Sequence, residues 1–169
     1  MPPTAPRSHQ PNSKHSGRLA RLSEAPAALF VYGSLLFPDV RAALFQRQPL
    51  AAAATGDGWR VAKLKDRNYP GLVTADRSVE GLLLTDLSAA EWRMLDAFED
   101  ELYDLQELTL ADGQHGWAYV CDQGTDVEPT DWDAQLFASR HLARYVIRCA
   151  SWREDYTAAI GSDADSVAG

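Results

Sequence analysis

The sequence predicts an α+β fold: a small, mostly antiparallel, barrel-like sheet flanked by two or three helices. Three observations carry this. Short β-type runs outnumber helical stretches, and several are joined by turn or hairpin signals, such as Asp112-Gly113. The strands do not alternate regularly with helices, as a parallel βαβ sheet would require. No internal repeat is present, and 169 residues suffice for one domain with a sizeable core.

Residues 1–26 are rich in Pro, Ser, Arg, His and Asn without an apolar period, and are expected to form a disordered basic tail. A transit peptide is the minority reading, because the tail lacks an amphipathic apolar stripe. Leu29–Phe37 (LFVYGSLLF) reads as a buried strand stopping at a tight turn, with Gly33 allowing close backbone approach. Pro38 starts a short helix carrying Val40, Leu44 and Phe45, and Pro49 is expected to end it. Ala53–Lys65 is an irregular strand with a turn or bulge at Gly56 and Gly58. Asp66–Gly71 is a loop with a Pro-Gly turn signal, followed by two short strands, Leu72–Thr74 and Val79–Leu84.

The best-punctuated helix follows. Ser88 and Glu91 have capping-box spacing, and Leu87 and Trp92 have the spacing of a hydrophobic staple. The helix is expected to end near Asp100. Tyr103–Leu110 and Gly116–Asp122 are paired strands, and Gln123–Thr130 is a loop. Thr130 or Asp131 is expected to cap one long helix from Trp132 to about Trp152, with acids early and bases late. The domain is therefore placed at 27–157 and a frayed C-terminal tail at 158–169.

Charge and cysteine use narrow the function. The net charge is −8; residues 1–24 carry +3, leaving −11 for the remainder. An acidic body argues against a nucleic-acid partner or an anionic membrane surface. No apolar run approaches the roughly 20 residues of a membrane span. Cys121 and Cys149, without a secretory signal, are expected to be reduced thiols in a cytoplasmic protein. No Cys or His spacing suggests a metal, so neither metal nor cofactor is expected.

On a helical wheel with Trp92 at ~0°, Leu95, Phe98 and Leu102 fall at about 240–300° and form the apolar face. Glu99 falls at ~340°, on that buried stripe. A buried carboxyl has a raised pKa, which suits general acid/base chemistry. The bland alternative is a solvated helix end or a pairing with Arg. Ser34 lacks a GxSxG elbow and a nearby His/Asp partner, so it reads as a turn residue. Tyr32 and Tyr103 could offer hydroxyls to a pocket, although core packing is the commoner role.

Phe30–Leu35 (FVYGSL), Asn68–Gly71 (NYPG), Val79–Leu82 and Leu95–Tyr103 (LDAFEDELY) together resemble the gamma-glutamylcyclotransferase family, AIG2-like branch. His141–Tyr145 is similar to its final helix. The resemblance implies a small antiparallel β-barrel with flanking helices and no cofactor. It implies that Tyr32, Gly33, Ser34 and Leu35 form the backbone floor of a substrate pocket, that Glu99 is the catalytic acid/base, and that Tyr103 lines the same cavity. The implied reaction is attack of a γ-glutamyl substrate's α-amine on its own γ-carbonyl, releasing 5-oxoproline and an amine. Partners would be small γ-glutamyl amines, amino acids or peptides. Two positions depart from the family pattern: Leu105, where Arg is usual two residues after the Tyr, and Leu84, where Tyr is common. The alternatives are a non-catalytic carboxylate- or protein-binding member of the fold, and a glutathione-specific cyclotransferase.

Overall fold

Period-two alternation in Leu29–Val31 (β1) divides the core in two. Leu29 and Val31 join a cluster with Val40, Leu44, Trp92, Leu95 and Cys149 from the helices. Ala28, Phe30 and Tyr32 face the other way, onto Val79, Leu83, Leu108, Ala118 and Val120 from neighbouring strands. A strand buried on both faces must be central, and β1 is. The computed structural model, which describes residues 15–122 and 124–167, contains one six-stranded sheet in the order β4-β5-β1-β3-β2-β6.

The other strands are Ala51–Leu64 (β2), Pro70–Leu84 (β3), Tyr103–Thr109 (β4), His115–Cys121 (β5) and Val127–Asp131 (β6). All pairs are antiparallel except β1 with β5, which meet at Leu29 and Trp117. The sheet curls into a half-barrel. Its curl brings the β4–β5 hairpin onto β2, where Ala111 N–H donates to Thr55 O at 2.9 Å and Gly56 bridges Leu110. The glycine-containing part of β2 is bulged as expected: the register shifts between Asp57 and Trp59, and Gly58 has φ +90°.

The helices are His15–Ala20 (α1), Pro38–Phe45 (α2), Ala89–Phe98 (α3), Ala134–Arg140 (α4) and Leu142–Val167 (α5), with a 3-10 turn at Ser34–Leu36. Pro38 occupies the first turn of α2, and Val40, Leu44 and Phe45 are buried. The capping box on α3 is complete: Ser88 Oγ accepts from Glu91 N–H at 3.1 Å, and Glu91 accepts from Ser88 N–H at 3.0 Å. Arg47 then binds both carboxylate oxygens of Glu91 at 2.8 Å. Among the described residues no helix is long and apolar enough to cross a membrane.

Several local expectations are corrected. Helix α2 stops at Gln46, which adopts φ +57°, three residues before Pro49. Asp66, with φ +61°, supplies the positive φ of the β2–β3 loop, and Pro70-Gly71 opens β3 instead of turning. The two short strands within 72–84 are one, because β2 pairs along the whole length. Residues 127–130, expected as loop, and Asp131, a candidate helix cap, instead form β6 at the edge of β2, through Leu64–Val127 and Ala62–Asp131.

That pairing also moves the helix start. The Asp131 carboxylate is taken by Arg60 and Arg77, so Asp133 caps α4, accepting from Leu136 N–H at 3.1 Å. The single long helix is broken at His141, so that α4 and α5 both pack: Phe137 is buried against Trp132 and Tyr145. Helix α5 continues to Val167, where a frayed tail was expected from 158. At the other end, residues 1–14 of the expected tail lie outside the described residues. Residues 15–20 form α1, held by the burial of Arg18 against α3 and β4.

Candidate active site

The end of β1 shapes one wall of a cavity of about 480 Å³. After Val31 the chain turns through Tyr32 and Gly33 into the 3-10 turn at Ser34–Leu36. The first amides of such a turn have no acceptor within it. Among the described residues, those of Gly33, Ser34 and Leu35 find no backbone acceptor elsewhere. Gly33 packs against Pro70: a Cβ there would sit 2.7 Å from Pro70 Cγ. The Tyr32 hydroxyl donates to Tyr119 O at 2.5 Å, and the Tyr103 hydroxyl to Pro70 O at 2.5 Å. Both phenols are thus spent on backbone carbonyls, which ties β1, β3, β4 and β5 together around the cavity. Ser34 Oγ meets the Tyr145 hydroxyl at 3.2 Å, in keeping with a turn residue.

Glu99 lines the same cavity, by a different route from the one expected. Helix α3 ends at Phe98. Glu99 is its cap residue, with extended backbone (φ −67°, ψ 136°) and its N–H bonded to Leu95 O at 2.9 Å. The side chain therefore enters the cavity from a turn, not from the apolar face of the helix. Leu102, placed on that face by the wheel, also belongs to the turn before β4.

Glu99 differs from the acids beside it. Asp96 is buried and accepts from the Tyr119 hydroxyl at 2.8 Å, with Arg18 Nε at 3.1 Å. Asp100 accepts from Tyr69, Arg67 and the Leu102 amide, which together hold its pKa down against burial. Among the described residues the Glu99 carboxyl has no hydrogen-bond partner. Burial is the main cause that pushes its pKa up to about 8; the charge of Arg18 opposes this, and Asp96 and Asp100 add to it. The cavity thus holds a carboxyl that can carry or release a proton near neutrality.

All six residues singled out from the sequence line this cavity: Tyr32, Gly33, Ser34, Leu35, Glu99 and Tyr103. Sequence reasoning missed the contribution of α5, whose Tyr145, Arg148, Cys149, Trp152 and Asp155 close the remaining side. A signal was present. Tyr145, Cys149, Trp152 and Tyr156 recur every three or four residues, the mark of an inward-facing helical stripe. Tyr69 and Tyr119 also line the cavity and were not singled out. Burial pushes the Cys149 thiol up to about 12 and the Cys121 thiol to about 11, so neither is a ready nucleophile. Leu105 is buried opposite Tyr119 on the β4–β5 ladder. The guanidinium near that ring, 5.2 Å from its centroid, belongs to Arg18.

A curled half-barrel whose cavity is lined both by a carboxyl of raised pKa and by the turn after its central strand defines the class. The chain belongs to the family described as gamma-glutamyl cyclotransferase, AIG2-like, whose model matches residues 29–134. It is 39% identical to AIG2-like protein C of Arabidopsis thaliana over 87 residues, 50% of this chain and 51% of that relative. It is 35% identical to AIG2-like protein D of the same plant over 84 residues, 49% of this chain and 55% of the relative. The chain thus spans about half the length of the curated relatives it matches. A solution structure of an Arabidopsis thaliana protein superposes with TM-score 0.56 at 26% identity, covering 75% of this chain and 90% of that one. A crystal structure of a uropathogenic E. coli-specific protein shares the fold with TM-score 0.54 at 16% identity, covering 69% and 98%.

Proposed function

We propose that the chain is a gamma-glutamylcyclotransferase that converts a γ-glutamyl amine, amino acid or peptide into 5-oxoproline and a free amine. The observation that carries this reading is the Glu99 carboxyl: raised in pKa, without a hydrogen-bond partner among the described residues, and lining one cavity with Gly33–Leu35.

The reaction asks for little else. The substrate supplies both nucleophile and electrophile, so the protein must fold it into attack geometry and move protons. The amides of the 3-10 turn hold the substrate's α-carboxylate. Glu99 in its ionised form takes a proton from the α-ammonium. The freed nitrogen forms a bond to the γ-carbon, closing the five-membered ring. The γ-carbon–nitrogen amide bond then breaks as Glu99 gives its proton to the departing nitrogen, and Glu99 next takes the second proton from the ring nitrogen and passes it to the released amine, which leaves as an ammonium. Atoms balance without water or a protein nucleophile. Phe98, Trp152 and the tyrosines around the cavity reduce access of water, which strengthens the interactions inside.

The test is 5-oxoproline formation from a panel of γ-glutamyl amines, amino acids and peptides, including glutathione, measured by mass spectrometry. Release from at least one member is expected. Ser34→Ala should stay within about threefold of wild type, because the pocket uses the Ser34 amide and not its hydroxyl. Ligand binding across the panel without any 5-oxoproline would instead indicate a non-catalytic carboxylate-binding member of the fold.

A further inference from the structure

The turn that carries Glu99 is gripped by one side chain from outside the family-matched region. Arg18 lies on α1 and is only 4% exposed. Its Nη2 donates to Asp96 O at 2.7 Å and to Glu99 O at 3.1 Å. Its Nη1 donates to Asp100 O and Tyr103 O, both at 3.0 Å. Its Nε lies 3.1 Å from Asp96 Oδ1, and the group packs over the Tyr119 ring. The last carbonyls of a helix lack intrahelical partners and carry partial negative charge. A planar guanidinium with donors fanned in fixed directions can reach several of them at once; an ammonium, a point charge, cannot span the same set.

These four carbonyls bracket Glu99: one in the last turn of α3, one on Glu99 itself, one just after it, and one at the start of β4. We propose that Arg18 is a positioning residue for Glu99, fixing the α3–β4 turn so that the carboxyl projects into the cavity toward the Gly33–Leu35 amides. Its catalytic consequence rests on the proposed cyclotransferase reading; its structural consequence does not. Arg18 is also the cationic neighbour that favours the ionised carboxyl. The other titratable groups lining the cavity with Glu99, or acting on its charge, are Asp96 of α3, Asp100 of the turn, Tyr32 after β1, Tyr69 before β3, Tyr103 of β4, Tyr119 of β5, and Tyr145, Arg148, Cys149 and Asp155 of α5. Removing Arg18 therefore loosens the turn and raises the proton affinity of Glu99 together.

The test uses the full chain with Arg18→Met and Arg18→Lys. The Glu99 carboxyl is titrated by ¹³C NMR, amide exchange is followed over Glu99–Tyr103, and kcat and KM are measured on the best panel substrate. In Arg18→Met the titration midpoint should move upward, the turn amides should exchange faster, and kcat should fall about 10- to 100-fold. KM should change by less than about threefold. In Arg18→Lys the midpoint should stay near wild type, because the charge remains, and kcat should recover only in part. If Arg18→Met does not fold, Arg18→Lys carries the test: faster turn exchange with lowered kcat supports the role, and wild-type values overturn it. An unchanged midpoint, exchange and kcat in a folded Arg18→Met would also overturn it. If wild type turns over no panel member yet the midpoint and exchange still respond to Arg18→Met, the cyclotransferase reading fails and the positioning role stands.

Discussion

Glu99→Gln is expected to lower 5-oxoproline release by at least about 100-fold, with the folded state retained. Gln is nearly isosteric and stays neutral, so it preserves cavity shape while removing the proton carrier. The same change has a signature in stability. Glu99 holds its proton up to about pH 8 in the folded chain, against an ordinary carboxyl value of 4.5. Between these values the folded state binds more protons than the unfolded state, so stability falls as pH rises. This contribution is fully present below about pH 4.5 and is lost as pH rises through about 8. Glu99→Gln lacks the titration. Its stability relative to wild type should therefore increase between those two pH values and level off above them, as checked by denaturant unfolding at several pH values. Turnover near wild type in the variant would remove Glu99 as the acid/base.

Gly81→Ala is expected to be the most damaging small substitution in the sheet. Gly81 lies on β3 opposite Ala54 of β2. A Cβ there would lie 2.3 Å from Val31 O and 2.9 Å from two ring carbons of Phe30. The first contact is backbone, and Phe30 is 1% exposed in the barrel interior, so neither can give way cheaply. Overpacking of this kind costs about 3 kcal/mol. For a chain of this size that corresponds to a fall in Tm of roughly 6–12 °C. The strain falls on β1 immediately before Tyr32, so the Gly33–Leu35 floor should shift as well, and substrate binding in the surviving folded protein should weaken. Thermal unfolding and substrate titration check the two parts.

The strand that organises the molecule was legible because its signal is local. Leu29–Val31 is apolar throughout, and a buried central strand follows from that. The capping box at Ser88 and Glu91 was legible for the same reason. What escaped the sequence depended on distant partners. Val127–Asp131 contains Pro129 and two acids, and reads as the end of a loop and a helix cap; β2 and the arginines at 60 and 77 recruit it as an edge strand. Residues 15–20 have no apolar period, and α1 is ordered through Arg18, whose acceptors lie some 80 positions away. Glu99 was singled out for a reason that was half right. Its position near the end of α3 matters, but its burial comes from the turn at the helix terminus, where a wheel no longer applies.

The most direct test of the central claim is the pH dependence of kcat/KM for 5-oxoproline release, with the substrate's own ammonium titrated separately and divided out. Glu99 acting from its ionised form predicts a limb that rises with pH and bends near 8. A profile flat from about pH 6 to 9, or a bend at the ordinary carboxyl value near 4.5, would contradict a proton-moving Glu99 in this cavity.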